Sequence, residues 1–514
     1  MINHKVIEQW LSRDVNNYDW AKQKSEGAWD RHFAKLKPPP DFNGAKLWLH
    51  QKASFGLLNE LNRFIFHINM GGGKTLITLM FLRYKKQRGE KPRAIIFVPY
   101  LTSVETWVEE NEKHTPDLRV VPLLGSTKDN LEALQQDADL FVICYQSAVA
   151  MLSAKGAGKW HLSPGLLATA FGNRFNFMVC DEIHKTKGRN TLTFDMCKWV
   201  SQRAKWAIGL TGTPFGKDLQ DLWPQFYLID FGETLGPNIT LYREAFFNTK
   251  VNHWGGWEYT FRKPMMPQLH KMIKNRSIHY GLEEFYDMPP KKYVPVRLGL
   301  PQASMSYAKI SIANIKNALK GKDPHAYRII ENEYILLRQL ASGFMTLKAE
   351  DNDKVHVKFD ENPKLETLEG LVDQLPAGSK MVVFHHFVYT NHMISELLTK
   401  MKVKHARIWG GQRDPVGQLR LFKDTSDCRV LVINSKSGSS SLNLQGANYV
   451  VFFEQPDSPI DRQQAEARCW RPGQDKRVFI YDLLMVGTMD ERIHFANKAG
   501  EDLLKQLLEG KVEL

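Results

Sequence analysis

The sequence predicts an α/β protein of two similar units, each a mostly parallel sheet with helices on both faces, with helical protrusions between them. Three observations lead there. Apolar, β-rich runs recur at Ala94 to Val98, Leu140 to Cys144, Phe177 to Cys180 and Trp206 to Leu210, separated by amphipathic helical stretches. The runs are apolar throughout rather than alternating, as strands buried on both faces must be. The pattern lapses between about 236 and 356, then resumes from Met381 as M-V-V-F, V-L-V-I-N, Y-V-V-F-F and V-F-I-Y-D-L. At 514 residues the chain is too long for a single core.

Taken in order, residues 1–45 read as amphipathic helices carrying Trp10, Trp20 and Trp29, closed by Pro38-Pro39-Pro40, which cannot continue a helix. They form an accessory segment whose tryptophans are core anchors. Residues 46–235 make the first α/β unit. Residues 236–356 are a helical insertion: an aromatic, basic stretch around Trp254-Gly255-Gly256-Trp257, then helical patterns from Gln302 to Lys320 and Ala326 to Phe344. Residues 357–500 make the second unit, and 501–514 a helical tail.

The chemistry begins at Arg63 to Thr75, R-F-I-F-H-I-N-M-G-G-G-K-T. A strand, a glycine turn (Met70, Gly71, Gly72, Gly73), Lys74, Thr75 and a helix start are the parts of a polyphosphate cradle. The glycines let backbone N–H groups close on phosphate oxygens, and the helix N-terminus adds its positive end. Lys74 can reach the β- and γ-phosphates, and the Thr75 hydroxyl can ligate Mg²⁺. Asn69 stands where the strict spacing wants glycine, so the match is to the looser G-x-G-K-T form. A glycine turn with a solvated lysine is the alternative.

A second strand end reads Asp181-Glu182-Ile183-His184. Adjacent carboxylates are costly unless a cation offsets them, which a Mg²⁺–nucleotide would do. Asp181 would hold the metal shell and Glu182 would activate water. Thr211, Gly212 and Thr213, in L-T-G-T-P, could couple those carboxylates to the phosphate state, together with His184. In the second unit, Gln463 to Gln474 puts Arg468 and Arg471 three apart on one helical face. A guanidinium fork matches a transferring phosphoryl group.

Composition agrees with a globular protein having a polyanionic partner: 43% hydrophobic, 24% charged, net charge +13. The five cysteines are widely spaced without a CxxC pair, which suggests free thiols in a reducing compartment rather than a zinc site. No signal-peptide core or membrane-length apolar run is evident, so a cytoplasmic location is expected.

Together these residues resemble the superfamily 2 helicases, and within them the Swi/Snf-type DNA translocase branch, from about Leu47 to Leu484. Leu49-His50-Gln51 resembles the glutamine motif, implying that Gln51 reads adenine. F-V-P-Y-L-T-S-V-E-T-W and V-I-C-Y-Q resemble motifs Ia and Ib, D-E-I-H-K-T-K motif II, and L-T-G-T-P-F-G-K-D-L-Q-D-L-W motif III with its family continuation. Met288 through Val296 resembles the stretch leaving the first lobe. M-V-V-F-H-H-F, S-K-S-G-S-S-S-L-N-L-Q-G-A-N and the arginine segment ending R-P-G-Q resemble motifs IV, V and VI. Two departures stand out: Ser439 and Ser441 replace glycines of motif V, and Trp470 replaces the histidine before the last arginine.

The resemblance implies two RecA-like lobes, ATP and Mg²⁺ as cofactors, and Arg471 acting from one lobe on a phosphate held by Lys74 on the other. It also implies Gln474 at the nucleotide and Gln464 in coupling. The nucleic-acid contacts implied are Tyr100, Thr102, Gln146, Lys436 and Ser437, gripping double-stranded DNA by its phosphates. The compact chain resembles bacterial or viral members. The interval from Asn448 to Gln463 leaves no room for a strand-separating hairpin, which favours translocation over unwinding. Three readings stay open: a duplex translocase, a strand-separating or annealing helicase, and a nucleotide-gated clamp.

Overall fold

The computed structural model describes residues 4–13, 27–28, 31, 47–156, 158–212, 218–251, 257–281, 284, 287–320, 326–348, 354–410, 412, 414–435 and 442–499. Trp20, Trp29, Pro38 to Pro40, Thr213, Trp254, Lys436, Ser437, Ser439, Ser441 and the 501–514 tail lie outside them. The chain forms two compact units. One comprises residues up to 250 with 257–287; the other runs from Met288 onward.

In the first unit the strands are β1 (Arg63–Ile68), β2 (Ala94–Val98), β3 (Val120–Pro122), β4 (Leu140–Cys144), β5 (Ser153–Gly156), β6 (Lys159–Leu162), β7 (Phe177–Asp181), β8 (Trp206–Thr211), β9 (Phe247–Val251), β10 (Trp257–Phe261) and β11 (Ser277–Tyr280). Seven of them make one sheet in the order β11-β1-β8-β7-β2-β4-β3, with every pairing parallel. Parallel strands need helical crossovers, which cover both faces and demand apolar side chains on both. Along β1, Phe64, Phe66 and Ile68 enter one core with Phe55 and Phe81, while Ile65 enters the other with Met178 and Ile183. Phe177 stacks on Trp206 at 4.2 Å, locking the starts of β7 and β8 together. The helix His4–Ser12 lies against this body: Trp10 meets Phe246 edge-on, and Arg13 donates to Thr234 O at 2.7 Å.

The second unit holds β12 (Lys291–Leu298), β13 (Phe344–Lys348), β14 (Lys354–Lys358), β15 (Met381–His385), β16 (His405–Ile408), β17 (Val430–Asn434), β18 (Tyr449–Phe452) and β19 (Val478–Met485). Six pair in parallel in the order β12-β19-β18-β15-β17-β16. Alternate residues of β15 again enter two cores, Val382 and Phe384 on one face, Met381 and Val383 on the other. The helices Gln302–Lys320 and Ala326–Ala341 pack on one another and on the helix Met489–Lys498 as a small satellite core.

The segment expected as a helical insertion contributes strands to both sheets. β11 is an edge of the first and β12 an edge of the second. β12 is half exposed and β11 is four residues long with Ser277 and His279 in it, so neither shows the continuous apolar run that betrays a central strand. β12 alternates in burial along its length and carries Pro295, which an edge tolerates.

Candidate nucleotide and nucleic-acid site

Three neighbouring strands, β1, β8 and β7, deliver the candidate residues at their carboxyl ends. Parallel sheets place ligands there. After Ile68 the chain turns through Asn69 to Gly73, with Gly71 at φ 84° and Gly73 at φ 79°. Gly73 in this left-handed state caps the helix Lys74–Gln87. A β-carbon there would be strained by φ and would meet Gln51 Nε2 at 2.4 Å. The turn is clasped from outside: His50 Nε2 lies 2.7 Å from Gly72 O, and Gln51 Nε2 donates to the same oxygen at 3.2 Å. Gln51 Oε1 accepts from Trp48 N, so this side chain, expected to read adenine, spends much of its capacity holding the glycine turn. Lys74 Nζ donates to Ile68 O at 2.8 Å across the base of the turn.

β7 ends at Asp181, and Glu182 follows at φ 51°, ψ 58°. A left-handed glutamate stores strain of order 1–3 kcal/mol, which persists only where the surroundings over-determine it. They do here. Glu182 Oε2 accepts from Thr211 Oγ1 at 3.1 Å and lies 3.2 Å from His184 Nδ1, and those two partners are 3.3 Å apart. Asp181 is held from the other side, by Trp107 Nε1 on Oδ2 at 3.1 Å and Tyr145 Oη on its backbone oxygen at 3.1 Å. The two carboxyls are driven apart electrostatically. Burial and the adjacent Glu182 charge push Asp181 upward. Burial alone would raise Glu182 too, but the His184 hydrogen bond, the His184 and Lys74 charges and Thr211 hold it below the usual range. Gly212 closes the group. A β-carbon on it would sit 3.3 Å from Met70 Cγ and 3.6 Å from Lys74 Nζ, inside the space the turn encloses.

Of the coupling candidates, Thr211, Gly212 and His184 therefore meet the glycine turn or the carboxylates directly. Thr75, beside Lys74 in the first turn of the helix, is half-buried.

In the second unit, the expectation that Arg468 and Arg471 share a helical face is corrected. The helix Pro459–Cys469 ends with Trp470 at φ −102°, ψ 87°, and Arg471 lies in the bend beyond. Pro472 disfavours helical backbone at the residue before it. Arg468 is buried and Arg471 half-buried. Trp470, in the place of the family's histidine, donates Nε1 to Pro289 O at 2.7 Å and carries Lys291 4.2 Å above its ring. Gln474, expected at the nucleotide, is 4% exposed; its Nε2 lies within hydrogen-bond distance of the oxygens of Gln445, Ala447 and Cys469, and its Oε1 accepts from Lys476 N. Here it clasps a loop. Gln464 is buried on the arginine helix.

The nucleic-acid candidates are less assembled. Tyr100 begins the helix Leu101–His114 and accepts from Lys185 Nζ at 3.1 Å, with that ammonium 5.0 Å over its ring. Thr102 is half-buried in the same helix, and Gln146 is exposed in the first turn of Tyr145–Leu152.

A model of the SNF2-related domain matches residues 9–342, and one of the helicase conserved C-terminal domain matches 363–473. The chain belongs to the SNF2-related family. It is similar to the CHD3-type chromatin-remodeling factor CHR7 of Arabidopsis thaliana, 22% identical over 98% of this chain and 41% of that one. It is also similar to the ATP-dependent helicase FUN30 of Saccharomyces cerevisiae, 24% identical over 83% of this chain and 43% of that one. A mouse DNA excision repair protein ERCC-6-like is 24% identical over 90% of this chain and 42% of its own length. The chain thus spans about two fifths of the relatives it matches. Among solved structures, the Sulfolobus solfataricus SWI2/SNF2 ATPase core in complex with dsDNA aligns over 91% of this chain and 94% of that one, at 21% identity and a TM-score of 0.40.

Several residues of this SNF2-related chain escaped the sequence reading. Trp107 and Tyr145 fix Asp181, yet their only signal was a place inside the quoted motif Ia and Ib stretches. Arg462 gave none: on the same helix as Arg468, it is buried with Asp482, Glu466 and Gln455 around it.

Proposed function

We propose that the chain is a nucleic-acid-dependent ATPase that steps along double-stranded DNA. The observation that carries this is the glycine turn with Gly71 and Gly73 left-handed at a helix N-terminus, on the same sheet edge as the carboxylates at the end of β7, the next strand but one. Lys74 would bind the β- and γ-phosphates, and the N–H groups of the turn would receive their oxygens. Glu182 would accept the proton of the attacking water. Its depressed pKa keeps it ionised at neutral pH, and its hydrogen bonds aim it. Arg468 and Arg471 of the second unit would supply positive charge to the transferring phosphoryl group.

The residues fit a magnesium ion. Thr75 and Asp181 offer hard oxygen donors, and Mg²⁺ takes only one or two protein oxygens beside water and phosphate. When bound, the ion would offset the charge of the phosphates and of Asp181. Among the described residues no helix is long and apolar enough to cross a membrane.

Duplex translocation is favoured over unwinding because only six residues, 453–458, join β18 to the helix Pro459–Cys469, too few for a separating hairpin. Steady-state ATPase with duplex DNA, single-stranded DNA and duplex RNA side by side tests the reading. A rate rising with duplex length, with displacement of a triplex-forming strand, supports it. Separation of a tailed duplex indicates a helicase, and a slow rate indifferent to length indicates a clamp. Hydrolysis that ignores every polynucleotide overturns the motor altogether.

A further inference from the structure

A groove of about 310 Å³ opens in the second unit, between the helices Gln302–Lys320 and Ala326–Ala341 and the turn leading into Met489–Lys498. Its walls are apolar: Met305 and Ile312 from the first helix, Leu337 from the second, Val486 from the turn. Met305 is 42% and Val486 47% exposed, an arrangement that leaves large apolar side chains in water at the groove's mouth. Among the described residues its lining charges are cationic, Lys309 and Arg492, and no carboxylate lines it.

We propose that this groove receives the chain's own C-terminal segment, residues 501–508. The sequence there, Glu501-Asp502-Leu503-Leu504-Lys505-Gln506-Leu507-Leu508, spaces four leucines for one helical face and sets two carboxylates ahead of them. That chemistry complements an apolar trough edged by Lys309 and Arg492. Reach is sufficient. Met489 and Arg492, in the first turn of the helix Met489–Lys498, line the groove. The ten residues of that helix span about 15 Å. With Ala499 still helical, residues 500–502, if extended, would return over roughly 10 Å, Gly500 would permit the reversal, and the leucine face that follows would cover the remaining distance. The tail then straps the helix pair 302–341 to the end of the second unit. This does not depend on the proposed ATPase.

The test is cysteine protection in the full chain. All five native cysteines are buried, so the thiol introduced by Met305→Cys is the one that maleimide reaches quickly. With the native tail, its alkylation should be about tenfold slower than when Leu503, Leu504, Leu507 and Leu508 are all changed to serine. A control thiol from Lys128→Cys, on an 84% exposed side chain of the first unit, should react equally fast in both. A synthetic peptide of residues 499–514 added to the serine variant should restore protection, and the same peptide with the four serines should not. Equal Met305→Cys rates with either tail, or a native peptide that restores nothing, overturn the proposal. Protection that strengthens with protein concentration would assign the groove to a second copy and overturn it equally.

Discussion

The carboxyl ends of the two sheets carry polar clusters of opposite kinds. In the second unit several buried charges are answered within the unit. Lys364 meets Asp490 at 2.5 Å, Arg338 pairs with Asp457, and Arg462 pairs with both Asp482 and Glu466. Glu454 accepts from His386 N at 2.5 Å, Phe387 N at 3.0 Å and Thr390 Oγ1 at 2.6 Å; burial would raise it, but the Ser342 and Thr390 hydrogen bonds and the Lys364 and His386 charges hold it below the usual carboxylate range. In the first unit two carboxyls stand side by side, met by an indole, a hydroxyl and an imidazole. The Lys74 ammonium, which favours ionisation of both, donates to the backbone oxygen of Ile68. A network closed by its own counter-charges holds a fold together. A pair of carboxyls left with mostly neutral donors is arranged for a cation from outside.

That contrast is broken or sharpened first at the glycine turn. Lys74→Ala and Glu182→Gln should each lower DNA-stimulated turnover by about a thousandfold while leaving nucleic-acid affinity and thermal stability near those of the parent. A Glu182→Gln protein that hydrolyses ATP normally would remove the glutamate from its role as base.

The second test sets two arginines of one segment against each other. Arg471→Ala should retain nucleotide affinity and lose hydrolysis by about a hundredfold or more, with a normal melting temperature. Arg462→Ala should instead destabilise the second unit by roughly 3–5 kcal/mol, because it strands Asp482 and Glu466 in a buried site. Denaturant titration and ATPase on the same samples separate them. A stable Arg462→Ala protein would show that the network is not what holds this helix.

How much of this was legible beforehand follows from how each feature is encoded. Central strands announced themselves because burial on both faces leaves only apolar residues, and the glycine turn did because positive φ selects glycine at Gly71 and Gly73. The edge strands β11 and β12 hid within the supposed insertion because one is a short Ser-Ile-His-Tyr and the other is half exposed, so neither has that signature. The arginine spacing misled because a period of three says nothing about where the helix stops, and Trp470 with Pro472 stops it. Gln474 and Gln51 were placed at a ligand by resemblance alone. Which amide reaches a backbone oxygen is a tertiary fact, invisible in a one-dimensional pattern.

A smaller effect is expected at Gly73→Ala. The alanine would sit at φ 79° with its β-carbon against Gln51 Nε2, so Gln51 must release Gly72 O. The cost is about 1–2 kcal/mol of backbone strain, visible as a lower melting temperature, with a raised KM for ATP as the turn relaxes. An unchanged KM would mean that the turn keeps its shape without the Gln51 clasp.

The least effect belongs to the phosphate contacts, and there the two kinds of cluster meet. Lys185 follows the carboxylates in sequence, yet its ammonium turns away to Tyr100, with one hydrogen bond and its ring contact. If it is a structural tie like Arg462, Lys185→Ala should cost little affinity and leave the salt dependence of DNA binding untouched. If it touches a phosphate, each ion it displaces contributes about 0.9 to the slope of log affinity against log salt. The expected outcome is a slope shallower by about one, with affinity loss equal across DNA sequences, since phosphates carry no base information. Tyr100→Phe would lower affinity without changing the slope, because a hydroxyl releases no counterion. An unaltered slope for Lys185→Ala would place that lysine with the self-contained networks.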